Sequence, residues 1–116
     1  MTSLNLIVIK TDNLQGQAEF YTALGIQFDY HKHGDGPYHY ASVGNPTLEI
    51  YPLSKNTAKP DHTTRLGFMV ERLDVLISDL KSRGITIVSE PAVSEWGYIA
   101  IVKDLDGRKI ELTERS

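Results

Sequence analysis

Two glutamates stand in matching local settings, Glu49 in "TLEIY" and Glu111 in "KIELT", each flanked by branched apolar residues. Side chains of a strand alternate between its faces, so Leu48, Ile50, Ile110 and Leu112 can turn to a core while the two carboxylates turn the other way. Carboxylates so placed suit two tasks, as oxygen ligands of one metal ion or as general bases. They equally suit two ordinary solvent-facing residues. His39, in "GPYHYAS", lies on a strand between two tyrosines, where an imidazole can take a proton, bond a ligand or be satisfied by backbone. His31 and His33 alternate on one strand face and in principle could bind a metal, but the Gly34-Asp35-Gly36 turn after them points to an exposed edge. His62 precedes a strand by a few residues and reaches a site only if its loop folds back.

Composition narrows the chemistry. The chain has 116 residues, 41% hydrophobic and 23% charged, the make-up of one ordinary globular domain. A net charge of −3 and the lack of a Lys/Arg cluster give no field for a phosphate backbone, which argues against nucleic acid as a partner. The absence of cysteine excludes disulfides, thiolate catalysis and thiolate metal sites. The apolar run from Leu4 to Ile9 is too short for a signal or membrane segment, so the expectation is a soluble, cytoplasmic protein without a membrane partner.

The elements that must position these residues fall into two similar halves. "LNLIVI" reads as a strand, Asp12 as a helix N-cap, and Leu14, Ala18, Tyr21, Phe20 and Leu24 as a helical apolar face ending at Gly25. "RLGFMV" opens the second half, and Leu73, Leu76, Ile77 and Leu80 follow at helical spacing before Gly84. Three strands are predicted after each glycine: "IQFDYH", "YHYASV" and "TLEIYP", then "ITIVS", "WGYIAIV" and "RKIELT". The last pair is joined through Asp104-Leu105-Asp106-Gly107, a strong hairpin signal. Leu6 to Gly25 spans 19 positions and Arg65 to Gly84 also 19, which marks an internal duplication. The expectation is an α+β fold of two βαβββ modules in a single domain over 1–116, module one 3–53, a linker 54–62 and module two 63–114.

These features together resemble the vicinal oxygen chelate superfamily, also described as the glyoxalase/bleomycin-resistance/dioxygenase family. The resemblance covers nearly the whole chain and rests on the paired modules, "FYTALGI", "LEIYP", "LKSRGI" and "DLDGRKIELTE". It implies a curved mixed sheet forming a cup, helices on the outside, a small-molecule site within and pairing into a homodimer. Metal-dependent members place ligands on the first and fourth strands of each module; those positions here match Leu6, Glu49, Arg65 and Glu111. Leucine offers no lone pair and a guanidinium is always cationic, so only the two glutamates could ligate. The expectation is therefore no metal and no cofactor, with Arg65 taking the electrostatic place of the ion beside Glu49, Glu111 or both; a divalent metal is the disfavoured alternative. One Arg–carboxylate contact at about 4 Å would supply about 4 kcal/mol of Coulomb attraction at an effective dielectric near 20, before desolvation.

By alternation Val8, Tyr51, Gly67, Met69 and Thr113 share the face of the glutamates, while Ile7, Ile9, Leu66 and Phe68 face the helices. Trp96, in "SEWGYIA", stands at a strand entry where its ring can close a pocket, fill a turn or meet a second copy. Leu6, His39, Glu49, Tyr51, Arg65, Met69, Trp96 and Glu111 are the candidate ligand-binding residues, and Glu49, Glu111 and His39 the candidate catalytic ones. The expected function is binding of a small molecule at a degenerate, metal-free site. The alternative is a metal-dependent lyase, isomerase or dioxygenase.

Overall fold

A computed structural model describes all 116 residues, Met1–Ser116. The chain divides into two compact units, Met1–Asp61 and His62–Ser116. The first contains β1 (Leu6–Thr11), α1 (Leu14–Ala23), β2 (Phe28–His31), β3 (His39–Ser42) and β4 (Thr47–Pro52). The second contains β5 (Leu66–Val70), α2 (Leu73–Ser82), β6 (Ile87–Ser94), β7 (Gly97–Lys103) and β8 (Lys109–Glu114). Each unit is thus a βαβββ module with one mixed four-stranded sheet, in the orders β1-β4-β3-β2 and β5-β8-β7-β6. The last strand of each module lies inside its sheet, parallel to the first strand and antiparallel to the third. The architecture is α+β, with two open sheets.

Burial follows the expected alternation. Ile9, Leu48 and Ile50 are buried together with Ala18, Phe20 and Tyr21 of α1, which packs on β4. In the second unit Leu66, Val70, Ile110 and Leu112 are buried with Leu73, Ile77 and Leu80 of α2. Each helix ends in a Schellman closure. Gly25 (φ +108°) and Gly84 (φ +79°) take the left-handed turn, and Ile26 N–H donates to Tyr21 O while Ile85 N–H donates to Leu80 O.

The helix starts differ from expectation. Asn13, not Asp12, is the N-cap of α1: its Oδ1 accepts from Gly16 N–H at 3.0 Å. A Cβ at Gly16 would come within 2.5 Å of Asn13 Nδ2, so the glycine leaves the room this cap needs. Helix α2 has no side-chain cap of its own: Arg72, which enters it in the left-handed region at φ 42°, carries no acceptor. The Glu114 carboxylate of β8 fills that role, accepting from Leu73 N–H at 2.9 Å where the helix dipole favours negative charge. Strand β6 also runs further than the predicted strand 85–89, through Pro91 to Ser94. It is an outer strand, and register shifts on either side of Ser89 accommodate a residue that has no N–H to donate.

The β7–β8 turn forms as the Asp-Gly signal indicates, with Gly107 at φ +91°. What locks it is Arg108, fully buried, whose Nη1 donates to Asp104 Oδ2 at 3.1 Å and Asp106 Oδ2 at 2.9 Å. Asp104 Oδ1 in turn accepts from the backbone N–H of Asp106 and Arg108. Removing one partner from such a buried network strands the others. Arg108→Met is therefore expected to lower unfolding free energy by about 3–5 kcal/mol in urea titrations, whereas an exposed Arg83→Met change should cost under about 1 kcal/mol.

Candidate functional site

In the first unit the face turned away from the buried strand residues carries the predicted site residues. Glu49 lies across from Val8 on β1 and Ala41 on β3, one pleat from Leu6. Leu6 and Val8 remain about half exposed, at 47% and 44%. Strand β3 brings His39 to this face next to Glu49, and the β2–β3 register sets His31 directly opposite His39. The other face of the same hairpin is aromatic: Tyr30 lies 5.0 Å from Tyr38 and 4.7 Å from Tyr40, centroid to centroid. Alternation of tyrosine and histidine in the sequence thus becomes two chemically distinct faces.

His39 is the most constrained of these groups. It is 1% exposed, and its ring stacks on Tyr51 at 4.0 Å and 10°. Its Nδ1 lies 3.2 Å from Pro37 O, and a carbonyl can only accept, so Nδ1 carries a proton. That leaves Nε2 facing Glu49 Oε2 at 3.7 Å, beyond hydrogen-bonding distance, with no hydrogen-bond partner. An unsatisfied buried polar atom of this kind costs about 1–3 kcal/mol. Burial first, and the Glu49 charge second, push the Tyr51 phenol above its ordinary value.

His31 and His33 come to the same place. Strand β2 is an outer strand, as the glycine turn suggested, yet His31 is half-buried and only His33 is exposed. The three imidazole centroids lie 4.9 Å (His31–His33), 4.6 Å (His31–His39) and 5.2 Å (His33–His39) apart. One donor atom from each of His31, His33, His39 and Glu49 lies within 4.8 Å of the others. The expectation of an exposed edge without a site overlooked this convergence. The signal that could have found it is the shared parity of "HKH" and the central histidine of "YHY" on the two arms of one hairpin.

The second unit presents a plainer arrangement. Glu111 lies across from Gly67 and Ile101, and Arg65 Nη2 lies 4.0 Å from Glu111 Oε1. Both side chains are about half exposed, at 56% and 47%, so solvent screening reduces the pair to at most about 1 kcal/mol. Met69 is 51% exposed on the same face. Trp96 falls in the two-residue tip of the β6–β7 hairpin, 76% exposed, and its backbone N–H donates to Ser94 Oγ at 3.1 Å. His62 lies beside Gly107 at the β7–β8 turn. Neither α1 nor α2 is long and apolar enough to cross a membrane.

Residues 3–112 match the sequence model of the Glyoxalase/Bleomycin resistance protein/Dioxygenase superfamily, and the chain belongs to that superfamily. Solved structures similar to it include a glyoxalase/bleomycin resistance protein/dioxygenase domain from Frankia sp. EAN1pec, at 19% identity and TM-score 0.79 over 100% of this chain and 99% of that one. TnmS3, an antibiotic binding protein from Streptomyces sp. CB03234, is 19% identical at TM-score 0.78 over 100% and 98% of the two chains. The trypanothione-dependent glyoxalase I of Leishmania major is 22% identical at TM-score 0.75, covering 98% of this chain and 87% of that one. No curated protein matches the sequence. The metal that the family's four ligand positions imply does not fit here: Leu6 has no donor atom, and the Arg65 guanidinium stands 4.0 Å from the Glu111 carboxylate.

The proximity of Glu49 and Tyr51 has a measurable consequence. In a pH titration followed by tyrosine-ring carbon NMR, the Tyr51 phenol should ionise above its ordinary range. Glu49→Gln should lower that midpoint, since removing the negative neighbour makes the phenolate easier to form; an unchanged midpoint would leave burial as the sole cause.

Proposed function

We propose that this chain is a small-molecule-binding protein of the superfamily in which the inherited four-position metal centre is lost at Leu6 and Arg65. The observation that carries the reading is exposure: Leu6, Val8 and Met69 stand 44–51% exposed on strand faces that also bear Glu49, Arg65 and Glu111. In each unit, apolar strand residues left half open beside charged groups favour contact with an apolar or aromatic molecule that carries a polar group. The likeness to an antibiotic binding protein supports the same ligand class. Homodimer formation and a cytoplasmic location belong to the proposal; light scattering should give twice the 13.0 kDa chain mass.

The test is a thermal-shift screen with metal-free bleomycin and polycyclic aromatic antibiotics. A ligand at 100 times its Kd stabilises by about 2.7 kcal/mol, a rise in Tm on the order of 10 °C for a chain of this size. Arg65→Ala and Met69→Ala should weaken the shift, Lys55→Ala should not. No shift with any of these compounds, together with glyoxalase turnover that is lost in Glu111→Ala, would replace this reading with the alternative of a lyase, isomerase or dioxygenase.

A further inference from the structure

We infer that the first unit carries a divalent transition-metal site of its own, built from His31, His33, His39 and Glu49 and suited to an imidazole-preferring ion such as Zn²⁺, Co²⁺ or Ni²⁺. Only Glu49 is shared with the family's ligand positions, and the inference goes beyond the proposed ligand-binding function and does not rest on it.

Three observations converge. The four donor atoms already lie within 4.8 Å of one another. A tetrahedral ion with bonds of about 2.0–2.1 Å holds its donors about 3.3 Å apart. The remaining contraction falls to Glu49, which is half-buried, and to His33, which is exposed just beyond β2. Second, His39 Nε2 is buried, has no hydrogen-bond partner and is aimed into the cluster. Third, that nitrogen is in the tautomer a ligand needs, because Nδ1–H is committed to Pro37 O while Tyr51 stacked on the ring fixes its plane. An outer hydrogen bond from the far imidazole nitrogen is how proteins orient a metal-binding histidine.

Electrostatics agree with the geometry. Three imidazoles and the Glu49 carboxylate converge on one small volume, with His39 Nε2 3.7 Å from Glu49 Oε2. A divalent ion resolves that convergence. Three nitrogens and one carboxylate favour borderline transition metals over Mg²⁺ or Ca²⁺, which prefer all-oxygen shells.

The experiment uses untagged full-length protein stripped with EDTA and titrated with Co²⁺, read by visible d–d absorption, with Zn²⁺ competition and elemental mass spectrometry after desalting. About one ion per chain is expected, with the absorption intensity of a four-coordinate site. His31→Ala, His33→Ala and Glu49→Gln should each weaken binding by about 10–100-fold or more, a loss at least as large as removal of a supporting residue causes. Since His39→Ala risks unfolding, the exposed His33→Ala variant, checked by circular dichroism, carries the test. Glu111→Gln should leave metal binding unchanged, as should millimolar Mg²⁺. Absence of a Co²⁺ spectrum and of retained Zn²⁺ would overturn the inference. So would an ion lost in Glu111→Gln but kept in His33→Ala, which would return the metal to the family positions.

Discussion

The pleat of the inner strand in each module is the constraint on which the rest depends. Strand β4 buries Leu48 and Ile50 and β8 buries Ile110 and Leu112, so Glu49 and Glu111 are forced to the opposite faces. A slip of one residue would bury both carboxylates and expose four core side chains, and that penalty pins the register on both sides of each strand. Parallel pairing with β1 or β5 then decides what lies beside each glutamate, Val8 in one unit and Gly67 in the other. Chemistry in this chain is thus placed by hydrophobic burial on the reverse of the sheet.

Local polar devices hold those strands in place. The Arg108 network closes the β7–β8 hairpin with its ionic groups removed from solvent, while Glu114 ties the end of β8 to the start of α2 through Leu73 N–H. Arg108, just before β8, and Glu114, at its end, each lie three residues from Glu111. The second unit therefore commits the carboxylates of Asp104, Asp106 and Glu114 to structure, and keeps Glu111 on an exposed face with the loosely placed Arg65 near it.

Much of this was legible in the sequence because it follows from periodicity. The duplication, the element order, both glycine helix ends, the faces of Glu49 and Glu111 and the Asp-Gly turn all depend on spacings of two, or of three and four, that a single strand or helix displays by itself. What was not legible depends on cross-strand register or on distant capping. Asp12 and Asn13 are both capping residue types, and the room left by Gly16 decides between them. Glu114 caps a helix 41 residues earlier in the chain, a relation no local pattern contains. The histidine cluster has the same character. "HKH" shows two imidazoles on one face of an extended segment, but only the pairing of His31 with His39 adds the third.

Comparison of equivalent rows in the two modules shows why one glutamate acquired histidine neighbours and the other did not. The row beside Glu49 carries Lys10 on β1, Tyr51 on β4, His39 on β3 and His31 on β2. The corresponding row beside Glu111 carries Met69, Thr113, Ile99 and Ala92. The strands pair in the same order, but β6 reaches Ala92 through register shifts that β2 lacks, so side chains and the outer strand both differ. Ile99 where the first module has His39 removes the buried nitrogen, and Ala92 where it has His31 removes the next. Glu111 is left with a guanidinium from its own unit at 4.0 Å, a partner that neutralises charge but donates no electron pair. The two modules thus hold one carboxylate at equivalent strand positions, set in a histidine cluster in the first and beside a guanidinium in the second.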